Sequence, residues 1–169
     1  GAFLISTHLG SIETLPALRK GNRIKVHAFQ QMGHDAVFTK MFVRYLDPNQ
    51  LTLHAVEDIG VETAVEMKAA IERSELVLMA GDRVSAGSSA TLGHEFFGHE
   101  CNWPKGVFRF AKLMEAPVYA ITCVSVGWNE YEVKAKKLGD DLLNDYVRFL
   151  EGEVRTHPEQ WYQFYSFFA

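Results

Sequence analysis

Apolar and polar positions follow two rhythms along this chain, and the switches between them mark its elements. Residues 2–7, "AFLIST", are apolar almost throughout, as expected of a short strand buried on both faces. Ser11 is then placed to cap a helix reaching Lys20, with Pro16 moving its start toward Thr14 and Gly21-Asn22 ending it. "RIKVHAF" predicts a second strand, and "GHDAVFTKMFVRYL" a helix with Phe38, Met41, Phe42 and Tyr45 on one face, closed by Asp47-Pro48. A strand over "LTLHAV" precedes a helix "GVETAVEMKAAIERS" opened at Asp58, whose Val61, Ala64, Val65 and Ile71 form the expected apolar stripe. "ELVLMAGD" reads as a strand with its polar end at Asp82, "RVSAGSSA" as a Gly/Ser loop, and "TLGHEFFG" as a further strand. Trp103-Pro104 starts a helix with Pro104 in its first position, turning Val107, Phe108, Ala111, Leu113 and Met114 inward or toward a partner. "PVYAITCVSVG" and "EYEVKAKKL" pair as antiparallel strands across Gly127-Trp128-Asn129. A last helix, from about Asp140 to His157, stops before Pro158 and the aromatic tail "EQWYQFYSFFA".

Such alternation predicts an α/β fold: a mostly parallel central sheet flanked by helices on both faces, with an antiparallel addition near the C-terminus. The 169 residues suit a single domain, 1–169, and 47% hydrophobic with 22% charged residues is a globular composition. The net charge of −4 comes without a basic block, which argues against nucleic acid as a partner. Cys101, in a polar turn, and Cys123, inside an apolar run, make no disulfide framework and suit a reducing compartment. No run approaches the roughly 18 apolar residues that span a bilayer, and no signal-peptide pattern opens the chain. Gly1 leads straight into what reads as a core strand, which fits either a naturally compact protein or one with an upstream segment missing here.

In an open α/β sheet ligands gather beyond the carboxyl ends of the strands. Three polar clusters are expected there: His8 with Glu13, His27 with Gln30, and Asp82 with Arg83. With His8 ending a strand and Glu13 in the next turn, the carboxylate can hold one ring nitrogen while the other takes a proton from a hydroxyl, and Gly10 lets the backbone turn closely between them. The competing reading is a turn histidine beside a glutamate that the helix dipole favours anyway. Serine hydrolysis needs a nucleophile of the G-x-S-x-G kind, and "AGSSA" at 86–90 lacks that pattern. "HEFFGHE", 94–100, is not the H-E-x-x-H of zinc proteases, because its histidines are five apart, so no metal site is expected. Asp82 and Arg83 are either an exposed pair or a cation held by its carboxylate for a phosphate or oxyanion. Lys105 and Arg109 either add charge to that region or are solvated surface.

Four blocks in order resemble the lysophospholipid acyltransferase superfamily, in its branch of bacterial lipid A late (lauroyl/myristoyl) acyltransferases: "LISTHLGSIETLPAL", "VLMAGDRVSAG", "EFFGHECNWPKGVFRFAKLMEAPVYAI" and "HPEQWYQFYSFF". The resemblance covers nearly the whole chain and is nearest to uncharacterised acyltransferases related to the lipid A enzymes. It implies an acyltransferase of groups other than aminoacyl groups, moving a fatty acyl chain from an acyl-carrier-protein or coenzyme A thioester to a hydroxyl of a lipid or glycolipid. His8 is by resemblance the general base and Glu13 its orienting acid. Asp82 and Arg83 match the second polar block, and Gly10, Ser11 and Lys105 join them as substrate or oxyanion candidates. No cofactor, metal or acyl-enzyme is implied. The resemblance also implies a membrane surface at the cytoplasmic face of a bacterial inner membrane, an upstream membrane-associating segment, and an apolar groove lined by Phe108, Leu113, Met114 and the tail aromatics, or else these as core. Ser11 stands where relatives often carry Asn, and Phe29, Gln30 and Gln31 where they tend to carry a basic residue. A lipid or thioester hydrolase using the same pair, and a silent acyl-lipid or carrier-protein binding module, are the alternatives.

Overall fold

Short apolar runs pair side by side wherever the intervening chain can cross over, and the computed structural model places five such runs in parallel. It describes residues 1–14, 24–31, 50–84, 89–163 and 166–168. The strands are β1 (Ala2–Ser6), β2 (Val26–Gln30), β3 (Leu51–Ala55), β4 (Leu76–Ala80), β5 (Thr91–Phe96), β6 (His99–Pro104), β7 (Val118–Gly127) and β8 (Glu130–Lys137). The helices are α1 (Val61–Glu72), α2 (Lys105–Leu113) and α3 (Leu142–Thr156), with 3-10 turns at Ile12–Thr14, Val56–Asp58 and Pro158–Gln160. One sheet runs in the order β3-β2-β4-β1-β7-β8, parallel except for the antiparallel β7/β8 pair. This is the expected α/β fold with its antiparallel addition. The helices expected over 11–20 and 33–46 lie, apart from the 3-10 turn, outside the described residues.

β1 lies between β4 and β7, so its Phe3 and Ile5 are fully enclosed. Phe110 of α2 meets Phe3 and Phe29 edge-on at 5.9 and 5.7 Å, an arrangement aromatic quadrupoles favour. Met67, Ala70 and Ile71 of α1, and Tyr146, Val147 and Leu150 of α3, complete the buried set. Asp141 caps α3, its Oδ1 accepting the Asn144 amide at 3.3 Å.

Four expectations change. The apolar stripe of α1 is not the one its period suggests: Val61 and Val65 are 83% and 65% exposed, and the buried row is Met67, Ala70 and Ile71. Its N-cap is Gly60, with the Asp58 carbonyl accepting the Thr63 hydroxyl. Pro104 ends β6 instead of starting the helix, since "HECNWP" folds back on β5 through a turn at Phe97 and Gly98, whose φ angles are 51° and 80°. That hairpin buries Cys101, expected in a polar turn, and sets His94 and His99 on separate strands. Of the two directions left open for the row on α2 and its C-cap, Val107, Phe108, Ala111 and Met114 take the inward one, and Leu113, 53% exposed, the outward one.

The end of β4 depends on a glycine. The Gly81 amide donates to the Ser6 carbonyl at 2.9 Å, and the Tyr146 hydroxyl donates to the same carbonyl at 2.8 Å. A Cβ at Gly81 would lie 2.5 Å from Ile5 Cγ2 and 3.0 Å from the Tyr146 ring. Gly81→Ala is therefore expected to cost about 1–3 kcal/mol by overpacking. Gly106→Ala, on the open side of α2, is neutral or stabilises by up to about 1 kcal/mol. Urea unfolding midpoints check both.

Candidate active site

The parallel register Ser6↔Ala80 sets the ends of β1 and β4 side by side, so Thr7-His8 and Gly81-Asp82 leave the sheet together. Asp82 is 1% exposed. Its Oδ1 lies 2.7 Å from His8 Nδ1. Its Oδ2 accepts the Thr7 hydroxyl at 2.7 Å, the His8 amide at 2.7 Å, the Gln163 amide group at 3.0 Å and the Trp161 indole N–H at 3.4 Å. Burial resists ionisation of this carboxyl. The bond and charge of His8, with the Thr7 hydroxyl and the His8 amide, outweigh it and hold the group below its ordinary value. Nδ1–H of His8 donates to the carboxylate, which leaves Nε2 with the lone pair. The His8 side chain is 31% exposed, and Nε2 has no hydrogen-bond partner among the described residues.

The turn after His8 is stitched down on both sides. The Leu9 amide donates to Thr7 Oγ1 at 3.2 Å, the Gly10 amide to the Gln160 carbonyl at 2.8 Å, and the Ser11 amide to the Cys123 carbonyl at 2.7 Å. Gly10 has φ 73°, and a Cβ there would strike the Cys123 carbonyl, so both conformation and close approach require glycine. The His8 carbonyl accepts the Tyr162 amide at 3.0 Å, and Leu9 bridges Trp161. The Gln160 side chain grips both backbone groups of Ser125 at 2.8 Å. Trp161 packs against Phe96 and Phe167 at 5.3 and 4.8 Å.

The expected residues divide as follows. His8 and Asp82 come together, although they were assigned to separate clusters. The Glu13 backbone is in the 3-10 turn Ile12–Thr14, and its side chain lies outside the described residues. Asp82 holds one ring nitrogen of His8, Nδ1, the role expected of Glu13. Arg83, expected to be steered by Asp82 toward an anion, instead donates from Nη2 to the Tyr162 carbonyl at 2.8 Å and from Nε to Gln163 Oε1 at 3.3 Å. It anchors the tail. The amides of Gly10 and Ser11 are spent on backbone partners, so neither is free to receive an oxyanion. Lys105 opens α2, its amide on the Ala90 carbonyl, and no hydrogen bond or ion pair ties Lys105 or Arg109 to His8 or Asp82. Phe108 and Met114 are core, with Phe108 edge-on to Tyr146 at 5.6 Å, so of the three helix residues expected along a groove only Leu113 faces outward. Gln160 and Gln163 are not among the expected site residues, and Trp161, expected with the tail aromatics along a groove, meets Asp82 instead. Two glutamines inside an aromatic tail, where they serve no packing purpose, were the available signal.

His27 is buried near the start of β2, not at its carboxyl end. Its Nε2 meets Glu75 Oε2 at 2.7 Å and its Nδ1 meets His54 Nε2 at 3.0 Å. Arg73 grips Glu75 at 2.9 and 3.1 Å, and that contact first, then His27, brings the Glu75 carboxyl to about 2. Burial, then the neighbouring His27, lowers His54.

No protein-family model and no curated protein matches the chain. Among the described residues no helix is long and apolar enough to cross a membrane.

The carboxyl of Asp82 is held below its ordinary value when folded, so its ionised form stabilises the fold. That contribution is complete above the ordinary carboxylate range, about pH 4, and is lost as pH falls through the depressed folded value. Asp82→Asn is expected to flatten the acid limb of urea midpoint against pH and to cost about 1.5–3 kcal/mol at pH 7, the range for hydrogen bonds to a charged group.

Proposed function

We propose that this chain is an acyltransferase domain that moves a fatty acyl group from an acyl-carrier-protein or coenzyme A thioester to a hydroxyl of a lipid or glycolipid, at the cytoplasmic face of a bacterial inner membrane. The observation that carries this reading is the buried Asp82 carboxylate on His8 Nδ1, which leaves Nε2 reachable and, among the described residues, without a hydrogen-bond partner. The class of donor and acceptor comes from the four-block resemblance.

The acceptor hydroxyl gives its proton to His8 Nε2 as its oxygen attacks the thioester carbonyl carbon. Asp82 stabilises the imidazolium, fixed in tautomer and orientation beforehand. Collapse of the tetrahedral intermediate breaks the carbon–sulfur bond, and the proton returns from His8 to the leaving thiolate. The hydroxyl nearest to His8 in sequence, on Thr7, is bound to Asp82, which favours an attacking group from outside the chain over an acyl-enzyme. With the amides from His8 to Ser11 engaged, the oxyanion needs a side-chain donor. The Ser11 hydroxyl has no hydrogen-bond partner among the described residues and is the first candidate.

Exposure of the same base to water supports a hydrolase as the second reading. With an acyl thioester and a lipid alcohol, His8→Ala is expected to lower transfer about 10²–10⁴-fold, with Asp82→Asn losing more than Glu13→Gln. Wild-type transfer by His8→Ala overturns the base assignment. Free fatty acid as the sole product, with or without alcohol, selects the hydrolase.

A further inference from the structure

We propose that His27, His54 and Glu66 form a binding site for one divalent first-row transition-metal ion, separate from the His8–Asp82 pair. Their donor atoms all lie within 4.8 Å of one another, brought together from β2, β3 and α1. The Glu75 carboxylate that orients this cluster precedes β4, whereas Asp82 follows it.

The donors are pre-aimed. Glu75 takes Nε2–H of His27, so His27 Nδ1 presents its lone pair to His54. A carboxylate behind a histidine in this way fixes the tautomer and raises the basicity of the ligating nitrogen. Glu75 is in turn clamped by Arg73, and the His54 ring lies on Phe29 at 4.9 Å with 21° between planes. His27 Nδ1 and His54 Nε2 are 3.0 Å apart. Two nitrogens each about 2.1 Å from one ion and 3.0 Å apart subtend about 90° at it, the angle of neighbouring positions in an octahedral or tetragonal site. With His27 Nδ1 offering a lone pair, the hydrogen bond between the rings uses Nε2–H of His54; for an ion to take that place, the His54 proton shifts to its Nδ1, so that both rings ligate as neutral imidazoles. Two imidazoles and one carboxylate suit zinc, cobalt, nickel or iron better than magnesium or calcium, which prefer all-oxygen sets. Glu66 is exposed on α1, so the third ligand is reachable from solvent and ties that helix to the two strands beneath it.

The test is titration of the full chain, stripped with a chelator, with zinc chloride by calorimetry and thermal melting, and with cobalt chloride by visible absorption. The expected result is saturable one-to-one binding, a raised melting temperature and cobalt absorption bands. Glu66→Gln and His54→Gln should remove saturable binding, the latter still able to hydrogen-bond His27. Glu75→Gln should weaken binding about 10–100-fold, and His99→Ala should leave it unchanged. Because Glu66 is exposed, its variant keeps the fold, as circular dichroism checks. Absence of saturable zinc binding, or affinity unchanged in both Glu66→Gln and His54→Gln, overturns the site.

Discussion

A carboxylate enclosed to 1% exposure is the constraint on which the rest of this site depends. Removing an ionised Asp from water without compensation costs several kcal/mol, and no single neighbour offsets that. The charge of Asp82 persists because donors from two separate segments converge on it: the end of β1 through Thr7 and His8, and the tail through Trp161 and Gln163. Each donor fixes the segment that carries it. The β1/β4 register brings the first of these segments to the carboxylate, and the tail is tied to it through Trp161 and Gln163.

The C-terminal tail is accordingly part of the site. Gln160 binds Ser125, Tyr162 binds the His8 carbonyl, and Arg83 closes the circuit by binding Tyr162 and Gln163 from the β4 side. His8 is held from its ring, its amide and its carbonyl at once. A proton acceptor held in this way loses little on passing to the charged state, because the dipoles that stabilise imidazolium are already oriented.

Much of this was readable along the chain because it is local. Parallel strands buried on both faces announce themselves as apolar runs, and the β7/β8 hairpin by its Gly-containing turn. His8 was recoverable because it ends such a run. Its partner was not, since Asp82 lies 74 residues away and meets it only through the register of β1 with β4. Glu13, close in sequence, was the natural choice when only spacing was available. The same limit explains α1. Period reveals that a helix is amphipathic, but only the packed sheet decides which arc is covered, so the stripe expected for α1 includes Val61 and Val65, which are exposed. "HECNWP" hid a strand because Pro104 suits a helix start as well as a strand end.

The two histidine centres use one device toward different ends. In each, a carboxylate takes one ring nitrogen and determines what the other presents: Asp82 on His8 Nδ1, Glu75 on His27 Nε2. The difference lies in what faces the remaining nitrogen. Nε2 of His8 has no hydrogen-bond partner among the described residues, on a side chain that is 31% exposed, the arrangement the proposed proton transfer requires, because a base already hydrogen-bonded must first break that bond. Nδ1 of His27 faces a second imidazole and a carboxylate, a set of donors that the proposed cation would share. The two proposed roles thus separate by surroundings, not by residue type. On the proposed reading, chemistry belongs to the carboxyl end of the β1/β4 pair and reinforcement to the β2/β3 side of the same sheet.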